Sequence, residues 1–128
     1  MNENASTAAE RVQKFIEKVL EKADLGNCRV EMILPKYENE TTIYNVRSEE
    51  GANVLIGQNG ENLRALQYIV RLLVRRHLQE DAHMPFVIDI NGYRQQKDEA
   101  LRELVEQAAR EAKQERKPVF LRPMNAYE

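Results

Sequence analysis

Residues 55–70 read LIGQNGENLRALQYIV, with Gly57 and Gly60 three positions apart, directly after an apolar run and directly before a long helical pattern. A glycine at each end of a four-residue loop permits positive φ and removes the Cβ atoms that would hold another backbone at a distance. A helix that starts at or just after Gly60 leaves its first N–H groups without internal partners, and its dipole favours an anion there. The loop therefore suits a phosphate. A nucleoside triphosphate loop is excluded, because Gly60 is followed by Glu61 and not by Lys and Ser or Thr. A dinucleotide loop would need three glycines between a strand and a helix. Taken alone, the two glycines also fit a plain turn between two helices.

Outward from the loop, residues 61–79 form an amphipathic helix with Leu63, Leu66, Ile69, Val70, Leu73 and Val74 on its buried side. Arg64, Tyr68, Arg71 and Arg75 fall within about 60 degrees of one another on the opposite side. No acidic residue occurs between Asn62 and Gln79, so the positive charge of the chain is concentrated on this one element. An arginine face is often only a solvated surface. Beside a glycine loop it suits a sugar-phosphate backbone, with Tyr68 as a stacking ring. On the other side of the loop, residues 51–56 are short and apolar and form a helix only when packed against neighbours.

Thr7 and Glu10 make a capping-box pattern, followed by Val12, Phe15, Ile16, Val19, Leu20 and Ala23 at helical spacing and by a stop at Gly26. Cys28, Val30, Met32 and Leu34 alternate with Arg29 and Glu31, and Thr42, Tyr44 and Val46 alternate again after a turn, which predicts an antiparallel pair. After Pro85, FVIDI suits a strand buried on both faces. Leu101, Leu104, Val105, Ala108 and Ala112 mark a further long helix that ends at Lys117-Pro118, and VFL (119–121) reads as a strand. The order is helix, two strands, short helix, glycine loop, helix, strand, then a C-terminal helix and partial strand: an α+β chain.

With 128 residues, 42% hydrophobic and 31% charged, the chain fits one compact domain or one and a half. No apolar run approaches the roughly 18 residues that span a bilayer, and the N-terminus lacks a signal-peptide layout. With its single cysteine, Cys28, the chain reads as cytoplasmic. A net charge of -2 argues against a surface that grips nucleic acid all over. His77, on the apolar side of its helix, reads as structural, and His83 sits in a loop with Asp81. Two histidines and one cysteine in separate elements have no metal-ligand spacing, and no nucleophile–base pair is visible. The expectation is no metal, no cofactor and no enzyme.

The Gly-x-x-Gly loop in its apolar setting, "VLIGQNGENLRAL", resembles that of a KH domain, in which this loop clamps about four single-stranded nucleotides. The element order resembles the type II, bacterial form, with a mixed three-stranded sheet. Together with "VIDINGYR", "EALRELVEQAA" and "KPVFLRPMNAYE", the chain is similar from about Ala9 to Glu128 to the Jag family, also called the SpoIIIJ-associated or KhpB family. The resemblance implies a flexible lead-in at 1–8, a type II KH domain at 9–92, and at 93–128 an incomplete second single-strand-binding domain. That second domain ends before its Arg-x-x-x-His signature, which fits either a truncated chain, the favoured expectation, or a natural short variant whose second domain does not act alone.

The KH resemblance points to Gly57, Gln58, Asn59 and Gly60 as phosphate ligands through their backbone amides, with Arg64, Tyr68 and Arg71 assisting along the helix. It points to Ile56, Ile43, Val46 and Val54 for the apolar floor of the cleft; of these, Ile56 and one face of the second strand are expected to border it, and Val54 or Leu55 to pack inside. It further implies an RNA chaperone that acts with a small KH partner protein in cell-wall homeostasis and cell shape. Basic residues usually lie between the two glycines, whereas Gln58 and Asn59 are neutral and Glu61 adds a negative charge, so modest affinity is expected. The alternative is a protein-interaction scaffold, in which strand edges and the C-terminal helix make a homo- or heterodimer.

Overall fold

The computed structural model describes residues 3–25, 27–38, 40–81, 84–126 and 128, with side chains from Thr7 onward. The stop expected at Gly26 and the loop histidine His83 lie outside these residues. The chain divides into two compact units, residues 1–92 and residues 93–128.

In the first unit, α1 (Glu3–Lys22) buries Ala8, Ala9, Val12, Ile16 and Leu20, one stripe at helical spacing. It starts a turn before the expected capping box, so Thr7 lies inside the helix and residues 3–8 are helical. Ala5, Ala8 and Ala9 are the best helix formers and nothing in the segment stops propagation. The helix terminates where Asp24 turns left-handed at φ 52°.

The sheet has the order β1-β2-β3. β1 (Cys28–Ile33) pairs antiparallel with β2 (Thr42–Ser48), Val30 opposite Val46 and Glu31 opposite Asn45. β2 pairs parallel with β3 (Phe86–Ile90), Tyr44 opposite Ile88 and Val46 opposite Ile90. Side chains alternate across a strand, so Val30, Tyr44, Val46, Phe86, Ile88 and Ile90 share one face and Glu31, Ile33, Ile43, Asn45, Val87 and Asp89 the other. The first set is the core face: Tyr44, Val46, Ile88 and Ile90 are at most 1% exposed. The Tyr44 hydroxyl donates to the Ala9 carbonyl at 2.8 Å, tying the central strand to α1. The edge of the Tyr44 ring meets Phe86, with centroids 5.8 Å apart.

β2 leads through α2 (Ala52–Ile56), a tight turn at 58–60 and α3 (Glu61–His77) into β3. α3 buries Leu63, Gln67, Val70 and Val74. Ile69, expected on this side, is 51% exposed, because the spacing 63, 67, 70, 74 centres the buried stripe on Gln67 and rotates Ile69 outward. His77 lies against Phe15 of α1, with ring centroids 5.7 Å apart.

β3 leaves through Asn91 (φ 48°) and Gly92 (φ 70°). The Asn91 backbone N–H donates to Val46 O, while its carboxamide accepts from Ser48 N at 3.0 Å and donates to Ser48 O at 2.8 Å. That side chain stands in for one more residue of the parallel ladder. Gly92 N–H donates to Asn45 Oδ1.

The second unit contains α4 (Tyr93–Glu115), in which Leu101, Leu104, Ala108 and Ala112 are half-buried and no residue is buried. The Lys97 ammonium lies over the Tyr93 ring, 5.5 Å from its centroid. Residues 119–121 form no strand: among the described residues no ladder reaches them, and Phe120 is 91% exposed. Apolar composition alone does not make a strand where no neighbouring edge is there to pair with. The final turn is closed by Arg122, whose guanidinium bonds Glu128 Oε1 at 2.7 Å, and by Asn125 N–H, which donates to Glu128 Oε2. This pairing holds the Glu128 carboxyl below its ordinary range.

Candidate nucleic-acid interface

The loop between α2 and α3 takes its shape from residues with left-handed backbones. Gly57 has φ 71° and ψ -179°, a combination restricted to glycine, and Asn59 (φ 54°, ψ 26°) and Gly60 (φ 77°, ψ 16°) follow in the left-handed helical region. Asparagine is among the few side chains that accept this region, which explains Asn at the middle position. Gly60 is buried, while Gln58 and Asn59 face solvent.

The four loop amides are not equivalent. Gly57 N–H donates to Asn53 O at 2.9 Å, ending α2, and Gly60 N–H donates to Gly57 O at 3.3 Å. Glu61 N–H closes on Gln58 O. These bonds leave the Gln58 and Asn59 amides for a ligand, two donors in place of the four expected. They sit at the amino end of α3, where the helix dipole adds positive potential. Glu61, in the first turn, supplies an opposing charge.

Two side chains of α3 reach back to the loop. Asn62 Nδ2 donates to Val54 O at 2.6 Å, and its Cγ lies 2.6 Å from the place a Cβ on Gly57 would occupy. Arg64 Nη1 donates to Asn59 O at 3.2 Å, holding the guanidinium over the turn.

Ile56, half-buried at the end of α2, adjoins the loop, in which Gln58 and Asn59 are exposed, Gly57 half-buried and Gly60 buried, with Arg64 half-buried beside it. Tyr68, 62% exposed, and Arg71 continue along the solvent face of α3, with Arg75 a turn further on. Leu55 packs inside, whereas Val54 is 72% exposed. Ile43 and Val46 do not join these residues. Val46 is 0% exposed, sealed in the core, and Ile43 lies on the sheet face opposite the core face. Their positions differ by three, an odd number, so one strand places them on opposite faces. α2 and α3 both pack on β3.

Two residues that position this region escaped the sequence reading. The spacing of Leu63, Gln67, Val70 and Val74 is a signal that would have placed Gln67 inside. Asn62 has no comparable signal, since its role depends on the closeness of Gly57.

A cavity of about 680 Å³ lies elsewhere, between α1 and the start of β1. Its lining sets Glu17, Glu21 and Glu49 against Arg29 and Arg47, a balance that does not attract a polyanion. Across the sheet, Glu31 accepts from Arg47 at 2.9 Å and lies 3.5 Å from Arg29; the Arg47 hydrogen bond is the main cause that lowers its pKa. Among the described residues, no three His, Cys, Asp or Glu side chains gather as a metal site, and no helix is long and apolar enough to cross a membrane.

No family model matches the chain. It is similar to the RNA-binding protein KhpB of Clostridium symbiosum, at 29% identity over 122 residues, 95% of this chain and 53% of the relative. It is also similar to the RNA-binding protein KhpB of Lactiplantibacillus plantarum, at 35% identity over 75 residues, 59% of this chain and 23% of the relative. The chain thus spans about half the length of the first relative and about a quarter of the second.

Proposed function

We propose, for a chain that belongs to the KhpB (Jag) family, that the first unit binds single-stranded RNA at the Gly57–Gly60 loop. The observation that carries the reading is the pair of uncommitted amides, Gln58 and Asn59, at the amino end of α3 and beside the Arg64 guanidinium. One or two phosphates seat on these amides, and the backbone continues along Tyr68 and Arg71, where a base stacks on the exposed ring. The wall opposite α3 is the α2 end, with Ile56 and the exposed Val54 offering apolar contact to bases. The protein acts by binding and not by turnover, in the cytoplasm. The family resemblance extends the reading to an RNA chaperone that works with a small KH protein in cell-wall homeostasis and cell shape. RNA annealing by purified protein and its co-purification with such a partner test those two extensions separately.

The decisive experiment measures binding of a short single-stranded RNA to the protein and to a Gln58→Asp, Asn59→Asp variant. Aspartate shares asparagine's tolerance of the left-handed region, so the loop keeps its backbone while gaining two negative charges. Binding falls at least tenfold in a folded variant if phosphates seat here. Equal binding by both proteins, or none by either, overturns the reading in favour of a protein-interaction scaffold.

A further inference from the structure

We infer that Asn62 is the positioning residue of the RNA clamp, fixing the loop in its binding shape without itself touching RNA; this rests on the RNA-binding reading of that loop. The carboxamide lies between two backbone segments. Its Nδ2 donates to Val54 O in the last turn of α2, and its Cβ, Cγ and Nδ2 lie 3.0, 2.6 and 2.8 Å from where a Cβ on Gly57 would stand. The first glycine of the loop is therefore glycine for two reasons: its dihedrals admit no side chain, and the space a side chain would fill is already taken by Asn62.

The Asn62 contact clamps the end of α2 to the first turn of α3, the two elements that bound the loop. A five-residue helix such as α2 has no stability of its own, and the carbonyls of its last turn need partners from outside. Asn62 supplies one of them. With both ends fixed, the Gln58 and Asn59 amides are held toward solvent before any ligand arrives, so binding does not bear the entropy of ordering the loop. Arg64 completes the arrangement from the other side, through Asn59 O. Asn62 Nδ2 is committed to Val54 O, so its influence on a phosphate runs through the loop backbone.

The test compares the protein with Asn62→Ala and Asn62→Asp, using a short single-stranded RNA as probe, fluorescence anisotropy for affinity and amide hydrogen exchange for the loop. Alanine removes the bond to Val54 O, and aspartate places a carboxylate oxygen against that carbonyl. The Gln58→Asp, Asn59→Asp variant is the control for the site itself. We expect both Asn62 variants to fold, with faster exchange at Gly57 and Gly60 and an affinity loss of roughly three- to tenfold for alanine and more for aspartate. Unchanged affinity and exchange in folded Asn62 variants, with binding abolished in the control, overturn the positioning role and leave the RNA reading standing. Absence of RNA binding by the unmodified protein overturns both.

Discussion

Gln67 accepts a hydrogen bond from the Ile88 amide at 2.6 Å and donates one to the carbonyl of Phe86 at 3.2 Å, so one carboxamide on α3 occupies two adjacent groups on the outer edge of β3. Asp89 Oδ1 accepts from Ile90 N–H on the same edge at 2.8 Å. Strand edges invite pairing with other chains unless they are covered. Here the edge of β3 is closed by side chains of the domain's own, so strand addition at this edge would first have to displace Gln67. This weighs against a scaffold built on that edge.

Gln67→Leu is expected to destabilise the protein by about 2–4 kcal/mol, although leucine is the more hydrophobic residue, because two buried backbone groups lose their partner. Urea unfolding measures it. A change under about 0.5 kcal/mol would mean that water or a neighbouring group replaces the carboxamide.

With two loop amides and a few arginines as the contact set, the salt dependence of RNA binding should be shallow. One to three phosphates on a single strand correspond to a slope of log K against log salt between about -0.7 and -2.1. Arg64→Ala should lower affinity more than Arg75→Ala, since it removes both a charge and the bond that holds Asn59 O. Titrations at four salt concentrations test both statements, and a slope steeper than about -4 would require a larger basic footprint than this loop and helix provide.

The pH dependence of stability has a local contribution from Glu31, whose carboxyl is held below its ordinary value by the Arg47 hydrogen bond. A carboxylate with a lowered folded-state pKa stabilises the fold at pH above its unfolded value and loses that contribution as pH falls through the folded one. Glu31→Gln should therefore differ from the unmodified protein in the neutral range, with the difference shrinking below about pH 4.5. Thermal unfolding between pH 3 and pH 7 reads it, and a difference that grows toward acid would contradict the assignment. Both partners are well exposed, so added salt should reduce the effect.

The order of elements was legible because each carries its own period: two in the strands, 3.6 in the helices, and glycines at the break between α2 and α3. The exposed arginine stripe was legible for the same reason. What escaped the sequence depends on groups that meet only in the fold. Gln67 looks like a surface residue until the outer edge of β3 is set beside it. The loop amides look equivalent until the dihedrals of Gly57 and Gly60 turn two of them inward. Val46 was misplaced for a different reason, because a strand residue next to an apolar cleft and one inside the core have the same composition and differ only in facing.

The bonds around Asn91 also bear on how the molecule ages. Asparagine followed by glycine is the pair most prone to deamidation, in which the glycine nitrogen attacks the side-chain carbonyl carbon, ammonia departs and water opens the ring. At Asn91-Gly92 the carboxamide is held at both ends by Ser48, and the attacking nitrogen is turned toward Asn45. Folding thus shields this pair for as long as the sheet holds. In the other such pair, Asn59-Gly60, the attacking nitrogen is likewise bonded, to Gly57 O at 3.3 Å, but the asparagine stands on the exposed tip of the loop. Chemical wear begins there, at the position where a new negative charge would turn a phosphate away.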